Sequence, residues 1–189
     1  HKFMGSLTAG ILAGKKKYVK NIYLQNLGIG RGMKVGKEAI YAAIIGVENW
    51  YKRDWKKEIN NQNNILQFWL TFFTKEKFKG ITYEIIADPT GNKINRLRVH
   101  VDFKISKFTI QSLCYYLEKN NPSIFVRDDL IHLNHFELDT CNLKEGQEKI
   151  VMNELKKIIL ELRSKKIKNN ISQKEYTLKS NKEWLSWLD

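Results

Sequence analysis

Lys2 lies in the opening run HKFMGSLTAG, close to Gly5, Ser6, Ala9 and Gly10. A lysine amine does covalent chemistry by forming a Schiff base with a carbonyl compound. Pyridoxal phosphate is the commonest cofactor of that kind; it stores electrons while the protein supplies position and electrostatics. Small residues beside such a lysine leave room for a ring and a phosphate. The same spacing also describes an ordinary surface lysine ahead of a Gly/Ser turn, and from the spacing alone both readings stand.

Further on, LQNLGIGRGMKVGKE gathers Arg31, Lys34 and Lys37 among Gly28, Gly30, Gly32 and Gly36. Such glycines let backbone N–H groups approach an anion. The two lysines could merely begin the helix that follows, but cations are unfavourable at a helix N-terminus, and this misplacement favours a binding role. GIGRG is not a dinucleotide fingerprint, because the strand, turn and acidic residue of that motif are missing. Arg127 in NPSIFVRDD can grip a carboxylate with two parallel hydrogen bonds. It can equally form a surface ion pair with Asp128 or Asp129. His132 and His135 are three apart and on a strand would face opposite ways, and His100 sits in an alternating run, so a metal site is not expected. Cys114 and Cys141 lack the spacing of a disulfide scaffold or a zinc site and read as idle thiols in a reducing cytoplasm.

These residues need elements to hold them. The 189 residues are 42% hydrophobic and 28% charged, which is the balance of a globular chain. No apolar run reaches the roughly 20 residues of a membrane span. The net charge of +13 invites a polyanion partner, but only six of the 33 basic residues are arginine and the aromatics fall at helical spacing, so direct nucleic-acid binding is not expected. Thr8–Ala13 reads as a short strand, and the glycine-rich run as a loop ending near Val35. Ile40, Ala43, Ile44, Val47, Trp50 and Tyr51 recur at helical spacing, and NNILQFWLTFFTKEKF is a second helix ending at Gly80. ITYEIIAD and RLRVHVDF alternate as strands around a long turn over Asp88–Asn95. KFTIQSLCYYLEKN is a helix, SIFVRDD and LIHLNHFEL are two more strands, and KEGQEKIVMNELKKIILELRSKK is an amphipathic helix. Residues 81–164 therefore read β-β-α-β-β-α, a two-layer α+β unit. A polar tail follows, with Trp184, Trp187 and Leu188 as a docking patch.

HKFMGSLTAGILAGKK, LQNLGIGRGMKVGKE, DPTGNKINRLRVHVD and NPSIFVRDD together resemble, in order, landmarks of one family. It is the fold-type-I pyridoxal-phosphate group of selenocysteine synthase (L-seryl-tRNA selenium transferase) and the D-glucosaminate-6-phosphate ammonia-lyases. The resemblance spans about residues 1–163. GIGRGMKVGKE is more similar to the ammonia-lyase branch; Lys34 stands where the selenium-transferase branch has its second arginine. The resemblance implies an α/β fragment plus an α+β domain, the C-terminal part of such an enzyme. Residues 1–35 would be the remnant of the cofactor-binding large domain, 36–79 connecting helices, 80–164 the small domain and 165–189 the tail.

Lys2 then matches the Schiff-base lysine, with Gly5, Ser6 and Thr8 beside it in the cofactor site. Arg31, Lys34 and Lys37 match the basic positions that hold anionic substrate groups, and Arg127 matches the small-domain arginine that grips a carboxylate. The chain reads Gly5-Ser6-Leu7 where the family usually has GGP or GAP, so the turn lacks a proline's fixed φ. The implied activity is a pyridoxal-phosphate lyase acting on a small amino-sugar acid phosphate, in a cytoplasmic homo-oligomer. The implied alternative is selenium transfer on a seryl-tRNA. A third reading is a non-catalytic α+β interaction domain, since the isolated chain is expected to be inactive.

Overall fold

The computed structural model describes residues 7–89 and 91–186, the side chains of 183–186 excepted. Lys2, Gly5, Ser6, Trp187 and Leu188, and the Trp184 side chain, lie outside the described residues. The chain divides into two compact bodies, His1–Trp55 and Lys56–Asp189.

In the first body, α1 (Lys16–Leu24) runs into two 3-10 turns, Gln25–Leu27 and Ile29–Met33, and α2 spans Lys37–Lys52. The expected strand Thr8–Ala13 is not one. A strand exists through its partner's hydrogen bonds, and no described residue pairs with this segment, which lies largely exposed. In its place the basic run after it forms α1. The Gly-rich segment is a loop tightened into 3-10 turns, and at Gly30 an added Cβ would stand 3.0 Å from the Gln25 carbonyl oxygen. The α2 stripe reads as expected but is barely covered: Gly46 is its buried residue, while Ile40, Ile44 and Tyr51 are exposed. At its end Arg53 turns extended (φ −71°, ψ 132°). Its guanidinium sits 5.6 and 5.3 Å from the Trp50 and Trp55 rings. A cation over two indole faces offsets part of the cost of stopping the helix there.

The second body is built from α3 (Trp55–Glu76, from Lys56 onward), β1 (Ile81–Ala87), β2 (Asn95–Val101), α4 (Phe103–Ser106), α5 (Ile110–Lys119), β3 (His135–Leu138), α6 (Gln147–Arg163) and α7 (Gln173–Ser186). The sheet is an antiparallel meander in the order β1-β2-β3. Alternation along β2 puts Leu97, Val99 and Val101 into the core and Arg96, Arg98 and His100 on the opposite face. Phe136 and Leu138 of β3 join the same core, with Trp69 and Phe73 of α3, Leu113 and Leu117 of α5, and Leu155 and Ile159 of α6. Trp69 Nε1 donates to the Glu148 carbonyl at 3.2 Å, fixing α3 against the start of α6. Gly80 (φ +72°) makes the tight corner into β1; a Cβ there would run into the backbone nitrogen of Ser106.

The two-layer α+β reading holds for the hairpin, the helices and the second half of LIHLNHFEL, but the unit is not β-β-α-β-β-α. SIFVRDD is not a strand. It makes a single antiparallel bridge, Arg127 to Glu137 on β3. The chain peels off next, because the Asp128 carbonyl accepts the Ile131 N–H at 2.9 Å and closes a turn. The expected strand LIHLNHFEL is shortened to His135–Leu138, with Ile131–Leu133 in a 3-10 turn and Asn134 left-handed (φ 60°). The segment read as a tail carries α7. Ile171, fully buried, accepts from Thr109 Oγ1 and donates to Ser112 Oγ, both at 2.9 Å.

Candidate functional site

The outer face of the sheet carries the charge. Register places Arg98 of β2 between Glu84 on β1 and Glu137 on β3. Arg98 donates to Glu137 at 3.1 Å and stands 3.5 Å from Glu84. Arg96 is held more firmly: 2.7 Å from Asp88, 3.1 Å from Asp139 and 3.7 Å from Glu137. Burial works against the Arg96 charge, but Asp139 and Asp88 outweigh it and raise its pKa. Burial likewise opposes the Asp139 charge, yet hydrogen bonds from Cys141 and Arg96 hold that carboxyl below its usual range.

Arg127 joins this face through its bridge to β3. Its N–H donates to the Glu137 carbonyl at 3.0 Å and its carbonyl accepts from the Glu137 N–H at 2.9 Å. Its guanidinium is the loosest of the three. The nearest carboxylates are Asp129 at 3.5, Asp139 at 3.7 and Glu137 at 3.9 Å, and 46% of the side chain is exposed. The backbone is fixed while the charged head keeps hydrogen-bonding capacity for an incoming group.

Arg127 also lines two cavities. One, of about 510 Å³, lies on the outer sheet face among Arg96, Arg98, His135 and Glu137. The other, of about 470 Å³, is mainly apolar, with Trp69, Phe125, Leu143 and Ile150 in its wall. Arg98 Nε and His135 Nε2 are buried with no hydrogen-bond partner among the described residues. Burial, then the neighbouring Arg98 and His100, lowers the His135 pKa.

Of the residues expected to bind anions, Arg127 lies in the second body and the others in the first. Arg31 belongs to the second 3-10 turn, Lys34 is extended, and Lys37 opens α2; all three are exposed. No ion pair is found for these three among the described residues. Thr8 is exposed, and Lys2, Gly5 and Ser6 lie outside the described residues. The alternative for Arg127, a pair with Asp129, exists in the structure at 3.5 Å, but it is one of three loose contacts. Sequence reasoning missed Arg96, Arg98 and Glu137. The signal was there: period-two alternation in NRLRVHV puts three basic side chains on one strand face. His132 is exposed on the 3-10 turn and His135 is buried on β3.

No family model matches the chain. Among curated proteins, a Salmonella typhimurium D-glucosaminate-6-phosphate ammonia lyase is 24% identical over 159 residues, 83% of this chain and 41% of that protein. A solved D-glucosaminate-6-phosphate ammonia-lyase superposes with a TM-score of 0.57 at 23% identity, covering 78% of this chain and 38% of that one. The chain is similar to D-glucosaminate-6-phosphate ammonia-lyase in sequence and fold. It is also 27% identical, over 165 residues, to a Streptomyces 5'-C-glycyluridine monooxygenase-decarboxylase, covering 85% of this chain and 40% of that protein. The chain thus spans about two fifths of the length of these relatives. The ammonia-lyase likeness agrees with the family read from the sequence landmarks. No helix among the described residues is long and apolar enough to cross a membrane.

Proposed function

We propose that this chain belongs to a pyridoxal-phosphate-dependent lyase that removes ammonia from a sugar-derived 2-amino acid, such as D-glucosaminate 6-phosphate, the β-hydroxyl leaving as water and a water being taken up again as the ammonia is released by hydrolysis. The names of the two relatives support that substrate class: one is a phosphorylated amino-sugar acid, the other an amino acid built on the ribose of uridine. The observation that carries the reading is Arg127, a guanidinium with a pinned backbone and loose carboxylate contacts, in a chain similar to the ammonia-lyase.

The Lys2 amine would meet the cofactor's carbonyl carbon, and Gly5, Ser6 and exposed Thr8 would lie beside it in the cofactor site. When bound, the cofactor supplies the electron sink for a carbanion at the substrate α-carbon. The work of this chain's residues is to bind and to move a proton. The Lys2 Nζ takes the α-proton. Arg127 orients the substrate carboxylate through two N–H groups. Arg31, Lys34 and Lys37 offer charge to the substrate phosphate.

In the full-length protein, Lys2→Ala abolishes the visible absorption band of the lysine–cofactor Schiff base; retention of that band rejects the assignment. Arg127→Ala raises KM for D-glucosaminate 6-phosphate by more than about tenfold, because a charged hydrogen bond is lost. The 189-residue chain with added pyridoxal phosphate shows no turnover, and measurable turnover would contradict this.

A further inference from the structure

Because the Arg127 guanidinium is loosely held, whatever aims it must act through the main chain. Its own N–H and C=O are tied to Glu137, and the next residue is tied twice more. The Asp128 carbonyl takes the Ile131 N–H at 2.9 Å, and Asp128 Oδ2 accepts the hydroxyl of Tyr176, on α7, at 2.6 Å. The 127–128 peptide is therefore pinned by β3 on one side and by α7 on the other. Tyr176 is itself buried. Helix α7 does not depend on that hydroxyl to stay docked: Ile171 bonds Thr109 and Ser112, Gln173 bonds Gln111 at 2.9 Å, and Lys179 lies 4.2 Å over the Tyr115 ring.

We infer that Tyr176 is a positioning residue for Arg127, with α7 serving as a strap that sets where the carboxylate-binding guanidinium points. The inference rests on the substrate role proposed for Arg127 and adds to it the element that aims the arginine. Without the phenol hydroxyl, the Asp128 carboxylate loses a buried-side partner and turns toward water, and the Arg127 main chain follows. A guanidinium that must be re-aimed on binding holds its ligand less tightly, though its chemistry is unaltered.

The test uses Tyr176→Phe, which deletes one oxygen and keeps the ring. In the full-length protein with D-glucosaminate 6-phosphate as probe, the variant raises KM about tenfold and leaves kcat within roughly twofold, the pattern of lost binding rather than lost chemistry. In an Arg127→Ala background the same change moves KM by less than about twofold, because the two residues act as one unit. A raised KM in Arg127→Ala with an unchanged KM in Tyr176→Phe overturns the positioning role alone. So does an equal effect of Tyr176→Phe in both backgrounds. An unchanged KM in Arg127→Ala overturns the substrate role of Arg127 and the inference with it. A readout without turnover comes from the 189-residue chain: Tyr176→Phe speeds amide hydrogen exchange across residues 126–131 and leaves α6 unaltered, whereas unaltered exchange at 126–131 overturns the inference.

Discussion

Glu137 serves three guanidiniums at once, at 3.1 Å from Arg98, 3.7 Å from Arg96 and 3.9 Å from Arg127. Its side chain is largely buried. Removing it takes from Arg98 its nearer carboxylate and leaves Glu84 at 3.5 Å, so Glu137→Ala lowers stability by about 3 kcal/mol in urea unfolding. His135 gives a pH signature. Its folded pKa lies below 6.5, so the unfolded chain binds more protons as the pH falls below that value, and stability falls with it. The contribution is complete above pH 6.5 and is lost as pH drops through the lowered folded pKa. His135→Phe should flatten the pH dependence of the melting temperature in that window; an unchanged slope would show that other groups set it. At this scale the sequence marked Arg127 by its family landmark, and strand alternation could have marked Arg96 and Arg98. The Asp128–Tyr176 contact was not legible, because 48 residues separate the partners and no local pattern links them.

Among the elements, the hairpin, α5 and α6 followed their periodicities because each buries one face in a common core. The failures have distinct causes. SIFVRDD has the composition of a strand but is diverted after one bridge by the Asp128 turn. Thr8–Ala13 has the apolar content without a described partner. Helix α7 is too polar to show a core-facing stripe; Thr109 donates to the Ile171 carbonyl just ahead of it, Ser112 accepts the Ile171 N–H, and Gln111 donates to Gln173. Two substitutions test the joints. Gly80→Ala combines a left-handed backbone with a collision at Ser106, and should cost about 3 kcal/mol by denaturant titration. Thr109 caps α5 by accepting the Ser112 N–H at 3.2 Å while donating to Ile171, so Thr109→Ala should cost about 1–2 kcal/mol and speed exchange in α7. Exchange unchanged in α7 would show that its docking does not depend on Thr109.

At the scale of the whole chain the two bodies differ in how they are held. The second has a continuous core, whereas Gly46 is the residue of α2 that is buried and α1 buries none. Exposed Leu24, Leu27, Ile29, Met33, Ile40 and Ile44 leave the first body with apolar surface that water does not favour. The 189-residue chain should therefore self-associate with rising concentration by analytical ultracentrifugation, and residues 7–55 should exchange amide hydrogens faster than the second body. Equal protection in both bodies would refute that ordering. The two cysteines have a practical corollary. Cys114 is buried, and burial raises its thiol pKa well above normal. Burial and then the hydrogen bond to Asp139 push Cys141 up to about 12. Since alkylation proceeds through the thiolate, both native sulfurs should resist maleimide at neutral pH. A single cysteine introduced on the Arg127 loop could then carry a fluorophore alone, and motion of that loop could be followed by fluorescence without first building a cysteine-free background.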